Sequence, residues 1–289
     1  MAFATDTFTG TNLANLIPTI WSSRVQDFYK QKSVASNFFD DLSSELTAGG
    51  KVVQYPILTE MSANSKTNAT AVTLNAATYN KVTLTVDTWY EVSFAIEDKE
   101  AAQVMRSYNL QEKLARNAGY TVANVLEDAI IALFSTFTQS VGASTTAIAD
   151  SEIRGAIAKL ADNPVFVQSE AAFFVHTDVF WNQILALDTF KSRDYTDMLA
   201  ADGAMRGILY GVPVYASNRI AYVSSTTGRV NFLATKDAIN FATLNLGGGR
   251  FRLQANYIPE YLSTVVTADI VYGVVKARDA AGVIIYTKE

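Results

Sequence analysis

The chain has 289 residues, 23 Lys and Arg against 28 Asp and Glu, a net charge of −5, one His and no Cys. That length is ample for one large domain or two smaller ones with a full hydrophobic core. The missing cysteines exclude a disulfide framework, a thiolate nucleophile and a Cys-ligated metal, His176 alone cannot build a His-rich metal site, and the acidic balance argues against reading nucleic acid through a basic face.

Charged residues are 18% of the chain, below the roughly 25% of ordinary soluble proteins, and 29 Thr with 30 Phe and Tyr favour β structure. No apolar run approaches the roughly 18 residues of a membrane span. Met1–Asp6 lacks the basic and apolar regions of a secretory signal, so synthesis in a cytoplasm is expected.

In chain order, residues 1–50 read as an arm. Pro18 can open a helix in which Ile20, Trp21, Val25 and Phe28 recur at near-helical spacing. Phe38 and Phe39 follow, and Gly49–Gly50 closes the segment. The helix either packs on its own domain or docks its apolar anchors on a neighbour.

Residues 51–96 read as one long hairpin. Lys51–Leu58 forms one strand, Met61–Thr70 a polar tip of small residues, and Val72 and Leu74 resume the alternation. Val82, Leu84 and Val86, then Val92, Phe94 and Ile96, line one face. A two-stranded ribbon is marginal in water, so these strands either belong to an ordinary sheet or project onto a neighbouring subunit.

Residues 97–138 carry the strongest helical pattern. Asn109 is a candidate N-cap with Glu112 three residues on. Leu110, Leu114, Ala118, Val122, Val125, Ala129 and Leu133 form a stripe that Leu126, Ile130, Phe134 and Phe137 widen, so the C-terminal half should be buried nearly all round. A helix of about 28 residues would span roughly 40 Å, a length suited to a backbone element.

After the small-residue linker Gly142–Asp150 the elements alternate. A helix over Ser151–Ala161, capped by Asp150, stops at Asn163–Pro164. Ala172–His176 is a buried strand, and Asp178–Leu187 a helix capped by Thr177 or Asp178. A polar loop, Lys191–Arg206, leads to strand patterns over Ile208–Ser217 and Val230–Ala234, a helical turn at Asp237–Ala242 and a strand at Phe251–Tyr257. Val271–Ala277 and Val283–Thr287 read as a closing hairpin turned at Arg278–Gly282. The class is α+β.

No motif carries chemistry. His176 lacks a second His or a Cys to work with. The acids Asp40–Asp41, Glu97–Asp98–Glu100 and Glu127–Asp128 are paired in sequence, but adjacent acids on a helix point to different sides. Gly247–Gly248–Gly249 precedes a strand pattern, Arg250–Phe251–Arg252, and so marks a turn rather than a phosphate cradle. Asn68–Ala69–Thr70 marks an exposed loop. Arg106, Arg250 and Arg252 read as a solvated face. No catalytic, cofactor-binding or metal-binding residue is assigned, and the informative features are an arm, a ribbon and a long helix.

Four segments carry a resemblance. Ile17–Pro18–Thr19–Ile20–Trp21–Ser22–Ser23–Arg24–Val25, Tyr55–Pro56–Ile57, Val82–Thr83–Leu84–Thr85–Val86–Asp87–Thr88–Trp89 with Val92–Ser93–Phe94–Ala95–Ile96–Glu97–Asp98, and Tyr210–Gly211–Val212–Pro213–Val214–Tyr215–Ala216–Ser217 with Asn218 stand in the order found in tailed-bacteriophage major capsid proteins. The sequence resembles that family over roughly residues 16–289. The resemblance implies the Hong Kong-type capsid fold, also seen in herpesvirus floor domains, with residues 1–50 as N-terminal arm and 51–96 as extended loop. It places a peripheral domain at 97–142 with a spine helix at about 108–138, an axial domain at 143–230, and a return to the peripheral domain at 231–289.

The same resemblance implies self-assembly into pentamers and hexamers of an icosahedral or prolate shell around double-stranded DNA, assembled in a host cytoplasm and finished as a virion. Because the arm starts almost at Met1, a separate scaffolding protein is expected, with a portal and a decoration protein as further partners, and no membrane. Some relatives crosslink a ribbon lysine to a neighbour's asparagine. Lys66 sits at the tip, where lysines are common, and no crosslink is expected. A bacterial nanocompartment shell of the same fold and a carboxylate-dependent enzyme are the alternatives.

Overall fold

The computed structural model describes residues 33–46, 50–58, 61–76, 79–99, 110–162, 170–187, 205–224, 227–246 and 250–289. The expected helix around Trp21, the Asn109 cap, the Asn163–Pro164 stop, most of the Lys191–Arg206 loop and Gly247–Gly249 lie outside them.

The helices are α1 Ala35–Phe38, α2 Leu110–Ala132, α3 Asp150–Ala161 and α4 Thr177–Asn182. The strands are β1 Asp40–Asp41, β2 Val52–Leu58, β3 Tyr79–Thr85, β4 Thr88–Glu97, β5 Ser140–Gly142, β6 Ala171–His176, β7 Met205–Leu209, β8 Val212–Ser217, β9 Tyr222–Ser224, β10 Thr227–Thr235, β11 Ile239–Thr243, β12 Arg252–Ile258, β13 Ser263–Lys276 and β14 Gly282–Thr287.

Among the described residues these strands form two sheets and a ribbon. The first sheet runs β1-β11-β13-β12, with β4 along the other side of β13. The second runs β5-β14-β10-β6-β8-β7, with β9 on β10. The ribbon is β2 with β3.

The second sheet is covered on both faces, and its sequence shows it. Along β6, Ala172 and Phe174 enter the core shared with α2, while Ala171, Phe173 and Val175 enter a core closed by Ile153, Ala156 and Leu160 of α3 and Val179 and Phe180 of α4. On β10, Phe232 and Leu233 divide the same way. A strand packed on both sides reads as a continuous apolar run, as Ala-Ala-Phe-Phe-Val does here. Tyr210 and Gly211, at φ +53° and +76°, turn β7 into β8 with both central residues left-handed, the geometry a two-residue hairpin needs.

Helix α2 joins the two sheets. Ala118, Val122, Leu126, Ile130 and Ile131 share one core with Ala172, Phe174 and Phe232 of the second sheet and Phe241, Ala268 and Ile270 of the first. Its 23 residues span about 34 Å, and a 3-10 turn over Leu133–Thr136 ends it short of the expected residue 138. In its second half Thr121, Asp128 and Ala132 stay exposed, and every other residue is at least half-buried.

Several expectations are corrected. The hairpin does not run to residue 96: β2 pairs with β3 only through Val52–Thr85, and Thr88–Glu97 leaves to pair with Tyr272–Ser263 of β13. Both readings share a two-residue alternation, which cannot name a strand's partner. Val72 and Leu74 lie in a segment without strand and are exposed. Asp237–Ala242 is not a helical turn but a 3-10 turn, Lys236–Ala238, running into β11, whose Ile239, Phe241 and Ala242 are fully buried. The closing hairpin is absent: β13 and β14 enter different sheets, because Arg278–Gly282 carries the chain from one layer to the other.

Two caps also differ. Asp150 is the first residue of α3, not its cap; the Ala149 amide donates to Glu152 at 3.1 Å, and Asp150 pairs instead with Arg154 at 2.9 Å and with the Tyr210 hydroxyl. Helix α4 ends at Asn182, followed by a 3-10 turn over Ile184–Ala186, and its cap is His176.

The ribbon crosses the first sheet at Gly273, where an added Cβ would stand 2.1 Å from the Thr85 carbonyl oxygen and 3.0 Å from Val86 Cα. A glycine inside a valine-rich strand marks such a close backbone approach. Replacing Gly273 with Val should push the ribbon root off the sheet and destabilise the subunit by about 2 kcal/mol, read as a lower urea midpoint.

Candidate functional site

Among the described residues the candidate acids do not come together as a group with His176. Asp40 pairs with Lys236 at 3.3 Å and Asp41 with Arg250 at 2.8 Å. Asp98 accepts from the Tyr257 hydroxyl at 2.7 Å. Glu127 points into the core while Asp128 points out to Arg219 at 2.5 Å, the divergence expected of adjacent helical acids. Among the described residues no three His, Asp or Glu side chains form a group able to hold a metal ion, and no helix is long and apolar enough to cross a membrane.

His176 sits at the end of β6 and caps α4. Its amide donates to Asn231 Oδ1 at 2.8 Å, and its Nδ1 accepts from the Asp178 amide at 3.2 Å. Burial first, and then the Arg229 charge, pull its pKa below the ordinary imidazole value. Ser217 stands opposite it in register, but the Ser217 hydroxyl accepts from the Arg219 amide.

What the fold does build is a set of outlying parts fixed at their roots. The arm root is Val34–Phe39. Glu127 of α2 is 2% exposed and accepts from three amides: Val34 at 2.8 Å, Ala35 at 2.7 Å and Ser36 at 3.0 Å. A buried carboxylate needs such donors, and the first amides of a helix have no intrahelical partner, so each satisfies the other. Beside this clasp Phe39 stacks on Phe174 with ring centres 5.4 Å apart, and Phe38 meets Phe174 edge-on.

The ribbon root is a small core of Leu46, Leu84, Val86 and Ala242, with Val53, Val271 and Val275 around it. Tyr55 of β2 accepts a hydrogen bond from Asn240 of β11. Beyond this root the ribbon is uncovered. Leu58 is 72% exposed, Tyr79 66% and Leu74 91%, and Met61 and Val72 are also exposed. At the tip the Lys66 ammonium donates to the Thr67 carbonyl at 3.0 Å, to Thr70 Oγ1 at 3.1 Å and to the Thr70 carbonyl, so its charge is engaged within its own loop.

The first sheet is open as well. Strand β12 exposes Leu253 and Tyr257, and the turn after it exposes Tyr261 and Leu262. The alternation of β12 therefore does not separate a buried from a wet face, since its five central residues are all exposed. One polar contact fixes this edge. Arg252 of β12 meets Asp269 of β13 with both oxygens, at 2.9 and 2.7 Å, and Trp89 of β4 donates to Asp269 at 3.1 Å. The Arg252 hydrogen bonds hold the Asp269 carboxyl below the usual carboxylate range; burial opposes them and Trp89 adds to them.

Sequence reasoning named Glu127 only as one of two adjacent helical acids and passed over Gly273 and the Asp269 contact. The first two left a signal: an acid on the helix with Leu126, Ile130 and Ile131 beside it, and a glycine inside a strand of valines. Asp269, paired across three strands, left none.

No protein-family model matches the chain, and no curated protein matches it in sequence. Solved structures do match its fold. It is similar to a chain of Mycobacterium phage Che8, with a TM-score of 0.74 at 18% identity over 94% of this chain and 97% of that one. It is similar to the capsid of the cyanophage P-SCSP1u, with a TM-score of 0.76 at 13% identity over 99% and 96%. The capsid of an empty GTA particle matches with a TM-score of 0.67 at 13% identity over 99% and 100%. The chain therefore has the α+β Hong Kong-type fold of phage capsid proteins, over nearly its whole length.

Two outcomes are expected from this geometry. Glu127→Ala leaves three buried amides without an acceptor and should cost about 3 kcal/mol or more, measured by chemical unfolding of the subunit. Because the Asp269 pKa is lowered by folding, its stabilisation is present above the ordinary carboxylate value, about pH 4, and is lost as the pH falls through the folded value. Asp269→Asn should lower the melting temperature at neutral pH and flatten its fall in acid, read by thermal melts across that range.

Proposed function

We propose that this chain is a major capsid protein, a structural protein rather than an enzyme, whose copies close into pentamers and hexamers of a virion shell around double-stranded DNA. The observation that supports this most is the near full-length likeness to phage capsid structures. The physical features agree with it. A two-stranded ribbon carrying Leu58, Leu74 and Tyr79 in water is an unfinished object, marginal by itself and stabilised once another surface covers it.

In this reading residues 1–50 are the arm, 51–96 the extended loop, 97–142 the start of the peripheral domain and 143–230 the axial domain, with β4 running back from the loop into the peripheral sheet; the return over 231–289 gives β11, β12 and β13 to that sheet but β14 to the sheet of β6 and β8. Contacts between identical subunits are heterologous and close into rings. Each is modest, but every subunit makes several at once, so dissociating one requires breaking all of them. The net charge of −5 suits a wall that confines DNA without gripping it. A separate scaffolding protein, a portal and a decoration protein are the partners this reading assigns.

Electron micrographs and sedimentation of the expressed protein, alone and with its phage's scaffolding protein, test it. Rings or shells are expected; a stable monomer under all conditions overturns it. Leu58→Asp with Tyr79→Asp, on the exposed ribbon face, should leave the subunit's melting temperature unchanged and cut the yield of particles roughly tenfold or more, since each closed contact must then bury a charge.

A further inference from the structure

We propose that His176 is a proton-operated cap: neutral, it holds the first turn of helix α4, and in mild acid it lets that helix go.

The geometry fixes the working state of the ring. The Asp178 amide can only donate, so His176 Nδ1, 3.2 Å away, must offer its lone pair. It caps a helix whose other N-terminal amides have no intrahelical acceptors. When Nδ1 takes a proton from solvent, its lone pair becomes an N–H, the contact becomes donor against donor, and the cap is lost.

The surroundings set where this happens. From its own helix the ring meets Asp178, and from the chain end Glu289; both favour the charged ring. From β10 it meets Arg229, which opposes the charged ring, as does burial, and these prevail. Arg229 is itself bound to Glu289 and lies 3.5 Å above the centre of the Tyr222 ring. Ser217 of β8 and Asn218 just past it carry no titratable group, but a hydrogen bond to the Asn218 backbone also favours the charged ring. Folding thus lowers the imidazole pKa, so the cap is complete above the ordinary imidazole value, about 6.5, and is lost as the pH falls through the folded value.

The release is local. Asn231 holds the His176 amide at 2.8 Å whatever the charge on the ring, and donates to Thr287 Oγ1 at 2.8 Å, so β6 stays in its sheet. What loosens is α4, which carries the exposed Trp181 edge-on to buried Phe180. This inference does not depend on the proposed function.

Hydrogen exchange of the full-length subunit, followed on peptides covering 177–187 between about pH 7.5 and about pH 5 and corrected for intrinsic rates, tests it. Wild type should lose protection roughly fivefold across that interval, the effect of an ordinary lost cap, while His176→Asn, whose side chain caps without titrating, should not change with pH. Glu289→Gln removes a charge that favours the charged ring and should move the loss to lower pH. Unchanged protection in wild type, an equal loss in His176→Asn, or a loss moved to higher pH by Glu289→Gln overturns the proposal. His176 is the only histidine, so its ring signals are unambiguous in a nuclear magnetic resonance titration of the unaltered chain. A ring protonated at Nδ1 at neutral pH, or titrating at or above the ordinary value, also overturns it.

Discussion

The structure turns on one buried carboxylate. Glu127 sits where α2 passes between the two sheets, and it has no water to lean on. Its oxygens take the amides of Val34, Ala35 and Ser36, more than 90 residues earlier in the chain. This exchange of unsatisfied groups directs the chain so that Phe38 and Phe39 enter the aromatic cluster of Phe134, Phe174 and Tyr215. Without the clasp both the carboxylate and the amides would be stranded in a medium where each is costly. The long helix is thus more than a spacer. It fixes the point at which the arm leaves the body.

The same logic operates at the ribbon. Gly273 allows the backbone at Thr85 to lie directly on the sheet, and Leu84 and Val86 then drop into the small core around Leu46 and Ala242. Beyond that root the ribbon is held by ladder hydrogen bonds between its two strands and, toward the tip, by side-chain hydrogen bonds of Asn64, Lys66 and Asn75. The result is a rigid base and an apolar, uncovered extremity. Such a division is destabilising in an isolated molecule and useful in a protein completed by its copies, because the buried root sets the direction while the exposed surface waits for a neighbour.

Much of this was legible in the chain. The 3.6-residue stripe from Ala118 to Ile130 located the central helix because a single face must meet a core, and the unbroken Ala-Ala-Phe-Phe-Val run located a strand packed on both sides. One histidine and no cysteine leave few chemical arrangements to consider. The illegible parts are those where two strands share the same alternation. Val92, Phe94 and Ile96 continue the pattern of Val82, Leu84 and Val86, yet the first set belongs to the sheet and the second to the ribbon. Val271–Ala277 and Val283–Thr287 look like partners because they are close in sequence, yet a five-residue connection carries them into separate layers.

By itself, then, the sequence located the central helix, the helix after the linker and most of the strands, and its composition shows that no metal or nucleophilic chemistry is built from cysteine or paired histidines. Those are consequences of local periodicity and composition, which each segment carries without its neighbours. Only the tertiary structure decided which strands pair, that Glu127 meets the arm, that Asp269 joins Arg252 and Trp89, and that His176 rather than Thr177 or Asp178 caps its helix. Each of these depends on groups distant in the chain finding one another, or on which of several nearby acceptors the folded backbone turns toward an amide, and no local pattern encodes that choice.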